Sequence, residues 1–277
     1  TLYLDATAPH TLDCKYPGAA ERVVSFYDTL DNTYLEERSA EILALGSQNS
    51  ELLQRAAADF ALACGLLQRR RQYAARTLDA EKLDRFTARL AARLMPRRRG
   101  CRPGTQRIRL LSAPTPDGIR VFSDTVTSAA DTIYVVHDAY GVASARMMKH
   151  LADRARQAGH EAYVCRCASD QRRIDHLLLP GLRLAFLTSN TWHPMNFPGQ
   201  KNIHAARFMN GRQLAARRGA LQYQKRIASQ LIARTCQTQA EAKRIHDELE
   251  KYYIRATDFQ AVDAIRARQE AELFTQE

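Results

Sequence analysis

The 277-residue chain is 45% hydrophobic and 26% charged, with a mean hydropathy of -0.43. That composition excludes a disordered or fibrous protein, and the length allows one large core or two smaller ones. No apolar run approaches the roughly 18 residues of a membrane span and no basic-then-apolar leader opens the chain, so a cytoplasmic protein with no membrane partner is expected. The formal charge of +11 and the pI near 9.6 favour anionic partners such as nucleotides, nucleic acid or acidic protein surfaces. An arginine- and alanine-rich bias of this kind also follows from GC-rich coding alone.

TLYLDATAPH reads as a strand, with apolar Leu2, Tyr3 and Leu4 followed by Asp5 and small residues. A buried-looking strand needs neighbours on both sides, which predicts further sequence upstream of Thr1. From Glu36 through Arg93, Leu and Ala recur at spacings of three and four between Arg, Glu and Gln, interrupted by Gly46 and Gly65. This pattern predicts two or three amphipathic helices. PRRRGCRPG, residues 96–104, breaks the pattern and marks a boundary between residues 1–100 and 101–277.

Beyond the boundary the rhythm becomes that of short strands. RIRLLSA reads as one strand, PTPDG as a turn and IRVFSDT as a second strand. DTIYVV is a third, followed by a loop and a helix from about Ser144 to Ala158 with Gly159 at its C-cap. HEAYVCRCA and LRLAFLT are further strands, and the alternation of strand with helix implies a parallel sheet with right-handed crossovers. Between them, Asp170 and Asp175 read as a helix cap and a turn carboxylate, with Arg172 and Arg173 able to pair with them at the surface.

The closing AEAKRIHDELEKYYIRATDFQAVDAIRARQEAELF predicts a long helix broken near Thr257, its stripe of Ile245, Leu249, Tyr252, Tyr253 and Ile254 serving as core or as a helix-pair seam. Six scattered cysteines predict reduced thiols. Cys165 and Cys167 would share a strand face, but no second pair completes a zinc site and no metal is expected there.

An internal repeat is also visible. LYLDATAPHTLDCKYPG and LAFLTSNTWHPMNFPG share a strand, a small polar turn, a histidine and a Pro-Gly, matching His10 with His193 and Pro17-Gly18 with Pro198-Gly199. Taken as copies, residues 1–100 are the rear of a first repeat and residues 101–277 a complete second one, each with a helix-rich segment after the shared stretch.

On the runs SAPTPDGI, IYVVHDAYGVASARMMKHL, YVCRCASDQRRIDHLLLPGLRLAFL and RIHDELEKYYIRATDF, the chain resembles a family of duplicated bacterial P-loop ATPase-like proteins. The family pattern has a Thr-Pro-x-Gly hairpin, a glycine-rich Walker A loop, a strand ending in Cys-x-Ser-Asp, a nearby Asp and an Asp-x-Thr-x-Pro-His segment. The resemblance spans essentially the whole chain. It implies an α/β fold, a P-loop NTPase-like parallel sheet flanked by helices, with ATP and Mg as cofactors of the full-length protein.

Carried over residue by residue, G-x-x-x-x-G-K-[ST] falls on Asp138, four residues that include Gly141, then Ala143, Ser144 and Ala145. Asp138 and Ala143 replace glycines whose bare backbone wraps phosphates, and Asp138 adds a negative charge where an oxyanion would sit. Ser144 replaces the lysine of the outer phosphates, and Ala145 removes the hydroxyl that holds magnesium. The helix N-terminus still favours an anion, and Arg146 stands close by. This loop is therefore expected to be a degenerate nucleotide site, and the chain alone an inactive ATPase relative with no cofactor of its own.

The resemblance further implies a magnesium-supporting carboxylate at Asp5, with Thr188 as its second-half counterpart, and a competent ATP site in the first half upstream of Thr1. His10 and His193 are candidate loop contacts to phosphate or a partner. The alternative is a non-enzymatic basic module whose arginine runs at 69–71 and 97–102 grip nucleic acid or an acidic protein, although no aromatic stacking surface accompanies them.

Overall fold

The computed structural model describes residues 2–6, 12–96, 100 and 102–274. Three helices come first, α1 (Asn32–Glu37), α2 (Ser39–Ala75) and α3 (Ala80–Leu94). Strand β1 (Gln106–Arg109), the hairpin of β2 (Ser112–Thr115) and β3 (Gly118–Val121), and helix α4 (Ser123–Ala129) follow. Next come β4 (Thr132–His137), α5 (Ala143–Gln157), β5 (Ala162–Cys167), β6 (Asp170–Leu179), β7 (Leu184–Ser189) and β8 (Lys201–His204). The chain closes with α6 (Gly211–Ala216), α7 (Arg218–Ala256) and α8 (Phe259–Phe274). No helix among the described residues is long and apolar enough to cross a membrane.

By compactness the chain divides into unit 1, Thr1–Ser50 with Arg244–Glu277, and unit 2, Glu51–Lys243. Unit 2 holds one six-stranded sheet in the order β1-β5-β6-β7-β4-β8. The period of two along each strand builds a core on each face. Tyr134 and Val136 of β4 and Leu184 and Phe186 of β7 face α3 and α5, packing with Leu83, Leu90, Met147, Met148 and Leu151. The alternate residues Ile133, Val135, Ala185 and Leu187 pack on the other face with Leu111, Val126, Met195 and Phe197.

The sheet is α/β and mostly parallel, with one correction to the all-parallel expectation. β6 runs antiparallel to both β5 and β7, so Asp170 and Asp175 stand on a strand rather than at a helix cap and a turn. Three local expectations also change. RIRLLSA splits into β1, which joins the large sheet, and β2, which pairs with β3. The second hairpin strand stops at Val121 because Ser123 and Asp124 begin α4. Residues 2–6 form no strand and stand exposed, Leu2 at 78% and Leu4 at 61%, so Asp5 does not end one.

The helix ends fall into two matching sets. In unit 1, a short 3-10 turn (Tyr27–Thr29) leads to Leu30, which bridges Thr257, and to Asp31, whose side chain caps α1. In unit 2, a 3-10 turn (Ala205–Phe208) leads to Met209, which bridges Leu78, and to Asn210, whose side chain caps α6. The crossing hydrogen bonds match pair for pair. Asp31 N donates to Ala256 O at 2.8 Å and Asp258 N to Thr29 O at 2.8 Å, while Asn210 N donates to Thr77 O at 2.7 Å and Asp79 N to Phe208 O at 2.8 Å. These matched helix-end residues are all separated by one offset, as Asp31 is from Asn210 and Leu78 from Thr257.

The helices match in length too: 6 and 6 residues for α1 and α6, 37 and 39 for α2 and α7, 15 and 16 for α3 and α8. The compact units do not follow the composition break at residues 96–104, because α3, just before it, packs on the sheet built after it.

Candidate functional site

The turn from β4 into α5 is formed by Asp138 to Val142. Asp138 continues the strand pairing, donating its backbone N–H to Ser189 O at 3.0 Å. Its side chain then turns inward and is 2% exposed. Oδ1 accepts from the amides of Tyr140 at 3.0 Å and Gly141 at 2.9 Å, and Oδ2 accepts from the amide of Ser144 at 2.8 Å. The amides of such a loop are those that would wrap a phosphate. Here the chain's own carboxylate occupies them.

The Asp138 side chain also replaces a conventional cap, since Val142 offers α5 no side-chain acceptor. Two arginines hold the outer side of the loop. Arg70 of α2 donates to Ala139 O at 2.8 Å, its guanidinium lying 4.5 Å from the centre of the Tyr140 ring. Arg173 of β6 donates to Gly141 O at 2.7 Å.

Gly141 has φ +67, and a Cβ built there would stand 2.5 Å from the Arg173 guanidinium. Gly141→Ala is therefore expected to cost about 1–2 kcal/mol through the left-handed backbone alone, with a further loss as Arg173 is displaced. Equilibrium denaturation in urea measures it.

Of the other loop positions, Ala143 and Ser144 are sealed, at 1% and 0% exposure. The Ser144 hydroxyl has no hydrogen-bond partner, and Ala145 is partly buried. Arg146 points away from the loop and grips Asp84 of α3 with two hydrogen bonds, at 2.7 and 2.6 Å. That bond holds the Asp84 carboxyl below its ordinary range. Thr188 is spent structurally, its hydroxyl donating to Asp175 O at 2.6 Å. Asp5 is exposed in unit 1, and His10 lies outside the described residues.

His193 does reach the vicinity of the loop. It is 8% exposed, its Nδ1 lies 3.1 Å from Thr188 O, and its Nε2 lies 2.9 Å from Asn190 Nδ2 and 3.7 Å from Asp175. With Nδ1–H donated to the carbonyl, Nε2 accepts from Asn190 and the ring is neutral. Burial lowers its pKa, against the pull of Asp175.

Arg70, Gly141, Arg173, Asp175, Asn190 and His193 line a cleft at the carboxyl ends of β4, β5 and β7. Open α/β sheets place their ligands at such strand ends. No protein-family model, curated protein or solved structure matches the chain. The site must be judged on its own groups.

Cys167 borders the cleft, and burial pushes its thiol and that of Cys165 upward, Cys165 to about 12. Protonated thiols are poor nucleophiles and poor metal ligands. No group of three or more His, Cys, Asp or Glu among the described residues is placed to hold a metal ion. Of the 69–71 arginine run only Arg69 is exposed, while Arg70 is buried and Arg71 partly so. Within the 97–102 run, residues 97–99 and 101 lie outside the described part.

What sequence reading missed is that Asp138 is itself the anion of the loop rather than a charge repelling one. An aspartate followed three residues later by glycine is a pattern for a side chain accepting nearby amides, and it was available as a signal. The partnership of Arg70 and Arg71 with Arg173 had no such signal, because the residues are far apart in the chain.

Proposed function

We propose that the second half is a P-loop NTPase-like domain whose phosphate site has been replaced by an internal carboxylate, so that it serves as a non-hydrolysing scaffold. The observation that carries this reading is the Asp138 carboxylate accepting three amides of the β4–α5 loop. The rest of the loop agrees with it. Ser144 at the lysine position is sealed, Arg146 is committed to Asp84, and Thr188 offers its hydroxyl inward. A phosphate entering the loop would have to expel a buried carboxylate and take over its hydrogen bonds. The resemblance would place any ATP hydrolysis in the first half rather than at this loop.

Calorimetry with ATP in the presence and absence of magnesium tests the reading, alongside phosphate release. The expected result is no magnesium-dependent heat and no hydrolysis above background. Magnesium-dependent ATP binding by the unaltered chain would show that the loop still works, and the reading would fail.

A further inference from the structure

The cleft beside the filled loop has two unlike walls. One is apolar, built from Phe60 and Leu67 of α2, Ile119 of β3, Ile232 of α7 and Trp192, and it continues a small core cluster. The other carries Arg70, Arg71 and Arg173 against one lining carboxylate, Asp175. That carboxylate is already engaged, 3.3 Å from Arg173 and 3.7 Å from His193. Arg70 bonds a loop carbonyl, a neutral acceptor, while Arg173 bonds both a loop carbonyl and the Asp175 carboxylate.

Arg71 is loosely held, with Ser169 Oγ at 3.4 Å and Asp170 at 3.9 Å. Burial and repulsion from Arg173 both lower its pKa. Arg70 Nε, Arg173 Nε and Trp192 Nε1 are buried N–H groups with no acceptor in the protein. Among the described residues lining the cleft, every unpartnered buried polar side-chain atom is thus a donor. Buried groups of this kind lack a partner at a real cost. Guanidinium groups bind carboxylate and phosphate through paired N–H bonds.

We propose that this cleft binds a small organic anion, with its carboxylate or phosphate group between Arg71 and Arg173 and a flat apolar body against Trp192 and Ile119. The binding needs neither magnesium nor the loop amides that Asp138 retains, so it stands or falls separately from the fate of the phosphate loop.

Trp192 is the only tryptophan of the chain, and its fluorescence reports this cleft alone. The whole chain is titrated without magnesium with phenyl phosphate, with benzoate and with benzyl alcohol, which keeps the ring and lacks the charge. The expected result is a saturable change with one of the two anions at a Kd below about 1 mM, and none with the alcohol. The better anion identifies the head group. Arg71→Gln is expected to weaken binding by about tenfold or more, and Arg71→Lys to recover part of the loss. Far-UV circular dichroism verifies that both variants fold.

The absence of any saturable change up to about 10 mM anion overturns the proposal. So does an equal response to benzyl alcohol, or an unchanged affinity in folded Arg71→Gln. If Arg71→Gln does not fold, the comparison of charged with uncharged ring in the unaltered chain decides alone.

Discussion

Asp138→Ala is expected to destabilise unit 2 by about 3 kcal/mol, because three amides lose an ionised acceptor inside a sealed loop and each such bond is worth about 1.5–3 kcal/mol before water recovers part of it. The positive end of α5 loses its compensating charge as well. Asp138→Asn is expected to fall between the two, since one oxygen can still serve Tyr140 and Gly141 while its NH₂ meets the Ser144 amide, donor against donor.

The loop freed by Asp138→Ala should then bind an anion at its exposed amides. Millimolar inorganic phosphate is expected to raise the melting temperature of Asp138→Ala by more than it raises that of the unaltered chain. If the variant is as stable as the parent, the carboxylate is not what holds the loop. If it is unstable but indifferent to phosphate, the loop closes by another route and the replacement reading loses its physical basis.

The parts of this arrangement that sequence reveals are those set by local periodicity. The β4–loop–α5 unit was legible because an apolar β-branched run, a glycine that must take positive φ and an amphipathic helix succeed one another within a short span. α2 was legible for the same reason, its buried Leu52, Ala56, Ala63, Leu67 and Ala74 recurring at helical spacing. The break near Thr257 fell correctly between α7 and α8.

The failures have physical causes. β6 begins with Asp170, Gln171, Arg172 and Arg173, polar and charged side chains that read as loop, while its buried end is Asp175 to Leu179. Such a strand is half solvent edge and half core, and no single period describes it. LYL at the start is apolar enough for a strand, yet strands are made by pairing, and residues 2–6 adopt no strand. The cleft joins α2 to β6 and to the residues after β7, a convergence set by tertiary packing.

Equivalent positions of the repeat show how strongly packing decides a residue's fate. Met95, just after α3, is fully buried against the sheet, whereas its counterpart Phe274, at the end of α8, is 76% exposed. Phe208 and Thr29 are equivalent and both buried, because the crossing backbone bonds that fix them are preserved in each copy. Helix ends and caps thus match between the two helix sets, while the apolar faces differ with what covers them.

The second large effect concerns acid. His176 is 1% exposed, its Nδ1 accepts the Thr188 amide at 3.2 Å, and its Nε2–H has no partner. Burial, and then the neighbouring His193 ring, lower its pKa from 6.5 to about 3, against an opposing pull from Asp175. Between those values the unfolded chain binds a proton that the folded chain refuses, so stability rises with pH across the window and falls as pH drops below 6.5. At pH 5 the loss from His176 alone is about 2 kcal/mol relative to pH 8. His193, also lowered by burial, adds to it with the same sign. His176→Asn keeps an acceptor for the Thr188 amide without the titrating ring, and is expected to be less stable at pH 8 because of the void it leaves. Its stability should nevertheless fall less between pH 8 and pH 5, by about 2 kcal/mol, in urea unfolding followed by circular dichroism. Parallel pH profiles for the two proteins would mean that His176 takes up its proton in the folded state, and that the sealed pocket around Thr188 opens to water more readily than its geometry implies.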